Sequence, residues 1–195
     1  MTATPHRFFE QQWPDGEFTL VQLGFVVDDL LATAQSWVTM FGIGPFHIMP
    51  RIQTPCTYRG DDTASLDTRL GVAQVGPVQV ELIEDFTDGP TIYHEMRDRY
   101  GARPFGIHQL STLTADFDGK KRHYEQAGRE LACEINAQGQ RVAFYDTYEQ
   151  FGFYTEVIAD KPSLRANLAN IAKTCATWDG SDPIRILTRE GYTTP

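Results

Sequence analysis

Cysteine is scarce: Cys56, Cys133 and Cys175 are the only three in 195 residues, odd in number and far apart. That excludes a disulfide framework and points to a reducing cytosol. Positive charge is also short, with 17 Lys and Arg against 26 Asp and Glu and a formal net charge of -9. A nucleic-acid groove needs a basic footprint, so that class is excluded, while local arginines leave an anionic substrate open. No apolar run reaches the roughly 18 residues of a membrane span. The start, Met1 to Phe8, lacks a basic segment followed by an apolar one, so a protein that is soluble, cytoplasmic and free of the membrane is expected. Walker-type loops, dinucleotide fingerprints and a Ser-His-Asp arrangement are missing too, and Gly42-Ile43-Gly44 is a helix stop.

What is present is a globular composition, 41% apolar with 12% aromatic, and an internal echo. Val21 to Leu30 contains Gln22-Leu23, four mostly apolar residues, a turn, an aspartate and an apolar residue. Gln109 to Phe117 repeats that order. Trp37 follows Gln22 by fifteen residues, and Tyr124 follows Gln109 by fifteen. Each copy ends on a strand with an acid among apolar residues, Val80-Glu81-Leu82 and Thr155-Glu156-Val157.

In the first copy the spacing predicts a strand over 18–27, with Gln22, Gly24 and Val26 on one face and Leu23, Phe25 and Val27 on the other. Asp28 or Asp29 caps a helix whose stripe is Leu30, Ala34, Trp37, Val38 and Phe41. Strands follow over 46–49, 66–75 and 78–83, with Cys56 to Asp62 as a loop. A linker (87–105) carries a short helix around Tyr93–Tyr100 and ends on Gly101 to Pro104. The second copy predicts a strand over 107–114, a helix over 116–127 and strands over 131–135, 141–146 and 153–158. A last helix, with Leu164, Leu168, Ile171 and Cys175 on one face, stops at Trp178 to Pro183 before a polar tail. The expected fold is α+β. Two paired βαβββ modules (17–86 and 106–160) form a curved mixed sheet around a central cleft, with the extension 161–195 in the same single domain.

Strand phase aims Gln22, Gln109, Glu81 and Glu156 into that cleft. A buried acid is costly unless paired or coordinated, and two at matched positions share one solution, a cation between them. Two amide oxygens complete a four-oxygen set suited to a hard ion such as Mg²⁺ or Mn²⁺. His108 adjoins Gln109, and alternation sends it to the opposite face as a core histidine unless a bulge at Gly106 reverses it. His6, His47, His94 and His123 have no ligand spacing. Arg59 is a candidate clamp for a substrate anion, and Tyr145 a candidate hydrogen-bond donor.

Several stretches together resemble the vicinal oxygen chelate superfamily of glyoxalase, bleomycin-resistance and extradiol dioxygenase relatives, closest to its methylmalonyl-CoA epimerase-like branch. They are Gln22–Leu30, Trp37, Phe41 to Phe46, Tyr58-Arg59-Gly60, Val80 to Ile83, Gly106-Ile107-His108, Tyr145-Asp146-Thr147 and Trp178 to Pro183. The resemblance implies paired βαβββ modules with a divalent metal (Mg, Mn, Co or Zn) held by Gln22, Glu81, Gln109 and Glu156. It also implies a small-molecule substrate, bound with help from Arg59, Tyr145 and His108, and it allows a homodimer. One departure stands out. Epimerase relatives usually carry histidine in a first-strand ligand position, where this chain has Gln22 and Gln109. A two-histidine, one-carboxylate iron site cannot be assembled from these positions.

Two functional classes follow. The first is an isomerase, epimerase or related lyase acting on a small carbonyl or acyl-CoA substrate through an enolate, with Glu81 or Glu156 moving the α-proton. The second is a metal-free, resistance-type binding protein, with Phe46, Tyr145, Phe153 and Tyr154 as cleft walls.

Overall fold

A computed structural model describes residues 19–100, 106–137 and 139–195. Residues 1–18, with the expected strand start Phe18, and the linker end Gly101 to Pro104 lie outside them. The first module runs β1 (Thr19–Val26), α1 (Leu30–Phe41), β2 (Phe46–Ile48), β3 (Ile52–Tyr58), β4 (Ser65–Val75) and β5 (Val78–Asp85). Helix α2 (Ile92–Tyr100) leads into β6 (Gly106–Thr114), α3 (Phe117–Gln126), β7 (Leu131–Ala137), β8 (Gln140–Tyr145), α4 (Tyr148–Phe151) and β9 (Tyr154–Ala159). The chain ends with α5 (Pro162–Ala176), β10 (Ile184–Thr188) and β11 (Gly191–Thr193). Among the described residues no helix is long and apolar enough to cross a membrane.

The duplication reappears in the pairing. Each module sets its first strand parallel to its last, β1 with β5 and β6 with β9. The modules then join by two antiparallel seams, β1–β6 and β3–β7. Because β4 also pairs with β5, the order β5-β1-β6-β9-β8-β7-β3-β4 closes on itself. Closure leaves one interior surface, reached by every second residue of each strand.

Alternation then assigns the layers. Leu82, Val80 and Val27 face outward and pack with Leu30 and Ala34 of α1, and Val157 packs with Phe117 of α3. Asp29 caps α1 by accepting from the Ala32 N–H at 2.9 Å, and Gly42 closes it in the left-handed region that glycine enters without strain. Phe41 departs from the expected stripe: it is 60% exposed, beside Trp37. One end of the barrel is plugged by α2, whose Ile92, Tyr93 and Met96 pack among Val26, Leu66, Cys133, Phe144 and Tyr154.

Two further expectations are corrected. Cys56, Thr57 and Tyr58 are strand, not loop: β3 pairs with β4 on one edge and across the module seam with β7 on the other. Only the turn beyond them, with Arg59 and Gly60 at positive φ, is irregular. The tail is not simply polar either, because Ile184 is buried and β10 adds parallel to β2, with β11 hairpinned onto it. In both places partners distant in sequence supply the hydrogen bonds that a local pattern does not reveal.

Candidate active site

Gln22, Glu81, Gln109 and Glu156 line one cavity of about 280 Å³ at the middle of the barrel. Four strands deliver them: β1 brings Gln22, β5 Glu81, β6 Gln109 and β9 Glu156. Below them, toward α2, lie Tyr93, Phe144 and Leu66. Above them lie Ile158 and the α5 side chains Leu164, Asn167, Leu168 and Ile171. A polar belt is thus held between two apolar zones.

Backbone detail makes room for the belt. Gly24 stands opposite Gln109, and a Cβ there would lie 2.3 Å from the Gln109 amide carbon. Glycine is therefore required by the close approach of a side chain. Gln109 donates from Nε2 to Glu81 Oε2 at 2.9 Å, and the Ser111 hydroxyl donates to Glu156. Gln22 Nε2 lies 3.4 Å from Gln79 Oε1, and Gln79 Nε2 lies 3.4 Å from the Leu168 carbonyl, tying the belt to α5. Ser111 and Gln79 did not figure among the expected site residues, yet each sits two positions from one that did, on the same strand face.

Both acids are harder to ionise than usual. Burial raises Glu81 to about 7, with the Gln109 hydrogen bond opposing. Burial and then the charge of Glu81 raise Glu156 to about 8, with the Ser111 hydrogen bond opposing. Two acids that repel each other in a desolvated cavity keep protons the unfolded chain would release. The native state therefore binds more protons between the unfolded carboxyl value near 4.5 and the native values, and stability falls as pH rises through that window. His108 acts in the opposite sense, since burial lowers it to about 4 and its contribution is lost as pH falls below 6.5. Without divalent ions, wild type is expected to lose unfolding free energy between pH 5 and 8 relative to Glu81→Gln/Glu156→Gln, by a few kcal/mol. Thermal melts of both proteins across that range measure it. Because His108 is common to both, parallel profiles would refute it.

His108 lies where simple alternation does not put it. The β1–β6 register passes from Gly24↔Gln109 to Phe25↔Ile107, so His108 is the extra residue of a bulge and turns inward beside Gln109. It is fully buried, stacked on Tyr154 with ring centroids 5.0 Å apart and tilted against Tyr93 at 4.8 Å. Its Nε2 faces the Ile92 carbonyl at 3.3 Å, and its Nδ1 faces the Gln109 amide. Both ring nitrogens thus face oxygens, and a neutral ring, with one N–H, donates to only one of them. With its oxygen on His108, the Gln109 amide turns its nitrogen to Glu81. Two carboxylates and two amides are groups that a hard divalent ion takes, although the Gln109 oxygen is here turned to His108. No group of three or more His, Cys, Asp and Glu able to hold a metal occurs among the described residues.

The other expected binding residues lie elsewhere. Arg59 is at the α2 end, where it pairs with Glu95 at 2.8 Å, Asp146 at 2.6 Å and Glu130 at 2.8 Å. Glu95 also accepts from the Tyr58 and Tyr154 hydroxyls, both at 2.5 Å. Burial pushes Glu95 up, but these donors outweigh it and hold the carboxyl low. Tyr145 faces outward, stacked on Tyr124 of α3 at 4.5 Å, with no hydrogen-bond partner for its buried hydroxyl among the described residues. Phe46 packs on the outer face with α1, and Tyr154 lies in the plug above α2.

A family profile described as "Glyoxalase/Bleomycin resistance protein/Dioxygenase superfamily" matches residues 21–144. Among solved structures, methylmalonyl-CoA epimerase from Mycobacterium tuberculosis is similar over 80% of this chain and 97% of its own, at 19% identity and a TM-score of 0.54. A hypothetical protein from Bacillus halodurans covers 75% and 96%, at 15% identity and 0.52. A Streptomyces coelicolor methylmalonyl-CoA epimerase variant in complex with 2-nitronate-propionyl-CoA covers 75% and 97%, at 14% identity and 0.50. No curated protein sequence matches significantly. At these identities the likeness to solved structures concerns the fold.

Proposed function

The chain belongs to the Glyoxalase/Bleomycin resistance protein/Dioxygenase superfamily, and from that premise we propose that it is an isomerase or epimerase moving the α-proton of a small carbonyl or acyl-CoA substrate. The observation that carries this reading is the pair of carboxyls in one cavity, Glu81 and Glu156, both raised to near neutrality. An acid–base group works best when its pKa lies near the operating pH, and a buried pair at different values can divide the acid and base tasks.

Glu156 is assigned the proton. Its carboxylate takes the α-hydrogen as H⁺ from one face, the C–H electron pair moves into the carbonyl to form an enolate, and protonated Glu81 gives its proton to the opposite face, which inverts the carbon. Ser111 orients the acid through its hydroxyl. Gln109, its oxygen held by His108, keeps its Nε2 donors toward Glu81 and the developing oxyanion, and the apolar zones exclude water. A divalent ion held by Gln22, Glu81, Gln109 and Glu156 would supply positive charge where the oxyanion develops.

The mainly aliphatic lining favours a second reading, a binding protein that stores an apolar ligand. Exchange from D₂O separates the two. Protein incubated with small ketones and thioesters, with and without Mg²⁺ or Mn²⁺, is expected to place deuterium on the α-carbon, seen by NMR. Binding without exchange across the series would leave only the storage reading.

A further inference from the structure

The cavity lining is unusual for what it omits. Among the described residues no Lys, Arg or His lines it, although two acids do. The nearby cations are occupied elsewhere: Arg59 by Glu95, Glu130 and Asp146, Arg69 by Glu84, Arg51 by Asp67 and Arg165 by Asp160. A substrate carboxylate placed here would meet two acids and aliphatic walls, with no cationic side chain to pair with.

The walls define the rest. Leu70, Val72, Ile135, Val142 and Ile158 surround the belt from the strands, and α5 roofs it with Leu164, Asn167, Leu168 and Ile171. At about 280 Å³ the space sits at the lower edge of small-molecule pockets, which run from about 300 to 1,000 Å³. The roof helix lies outside the residues matched by the family profile, 21–144. It is held on the barrel by the buried Ile171 and by Gln79 beneath the Leu168 carbonyl. Leu164 and Leu168 are half-buried and reach into the cavity one helical turn apart.

We propose that the group admitted to this cleft is uncharged, compact and mainly aliphatic, an alicyclic or branched ketone or the neutral acyl part of a thioester, selected by Leu164 and Leu168 of α5. The proposal rests on the proton-transfer reading for the placement of the carbonyl at the polar belt. Its substrate class, however, follows from the lining alone. A malonyl-type group, which carries a carboxylate beside the carbonyl, is excluded.

Binding of cyclohexanone and of cyclohexanecarboxylate to the full chain, by ligand-observed NMR at pH 7.5 with and without Mg²⁺, tests the class. The carboxylate is expected to bind at least tenfold more weakly. Leu168→Arg, which brings a cation to the roof, is expected to narrow that ratio tenfold or more, whereas Leu168→Gln leaves the carboxylate weak. Equal binding of the two probes by wild type, or no binding of either, overturns the proposal. An unchanged ratio in a folded Leu168→Arg protein removes the assignment to α5. Deuterium exchange, followed separately, keeps the two readings apart. Ketone binding without exchange leaves the substrate class standing and ends the enzyme reading; exchange on a carboxylate-bearing substrate does the reverse.

Discussion

Glu156→Gln is expected to lower α-proton exchange by about 10²- to 10⁴-fold, the range over which a positioned acid–base group contributes. The substitution keeps shape and volume, and the Ser111 hydroxyl retains a carbonyl oxygen to donate to. What disappears is the ability to carry a proton, so the loss falls on kcat with KM little changed. The same variant is expected to melt no lower than wild type at pH 8, because it removes a charge that the cavity solvates poorly. Loss of exchange together with a lower melting temperature would indicate structural damage, and full exchange would refute the role. Ser111→Ala gives a complementary readout. Its hydroxyl lowers Glu156, so its removal shifts the acidic limb of the exchange profile, set by ionisation of that base, to higher pH.

Arg59→Ala should cost about 3 kcal/mol of stability, or a melting temperature lower by about 10 °C for a chain of this size. The guanidinium joins the turn after β3 to α2 through Glu95 and to the second module through Glu130 and Asp146. Removing it takes an ion pair from each of the half-buried Glu95 and Asp146. The figure sits at the low end for broken buried pairs because Arg59 keeps some solvent contact and Glu130 is 65% exposed. Arg59→Ala/Glu95→Gln is expected to regain part of the loss, since one uncompensated charge goes with it. If Arg59 instead clamps substrate, the single variant raises KM with its melting temperature intact.

These two residues show how unevenly the chain discloses itself. Glu156 stands out from period-two alternation and from the repeat, both local properties, and its inward aim follows from strand geometry. Arg59 also stands out as a lone cation between polar residues, but its partners lie 36, 71 and 87 positions away. Only the folded chain reveals that its charge is spent at the module junction. Tyr145 is a similar case: one step of strand phase separates the cavity face from the helix face, and it falls under α3.

The sequence by itself determined the duplication, the α+β class and the face on which Gln22, Glu81, Gln109 and Glu156 lie, because a strand reverses its side chains every residue whatever it pairs with. Tertiary structure alone decided the rest. The bulge that turns His108 inward exists only in the register between β6 and β1. The strand character of Cys56 to Tyr58 comes from pairing with β4 and β7. The roof of the cavity is α5, an amphipathic helix whose stripe says that it packs but not against what. Period and composition are local, whereas register, charge pairing and enclosure belong to groups far apart in sequence that meet only when the barrel closes.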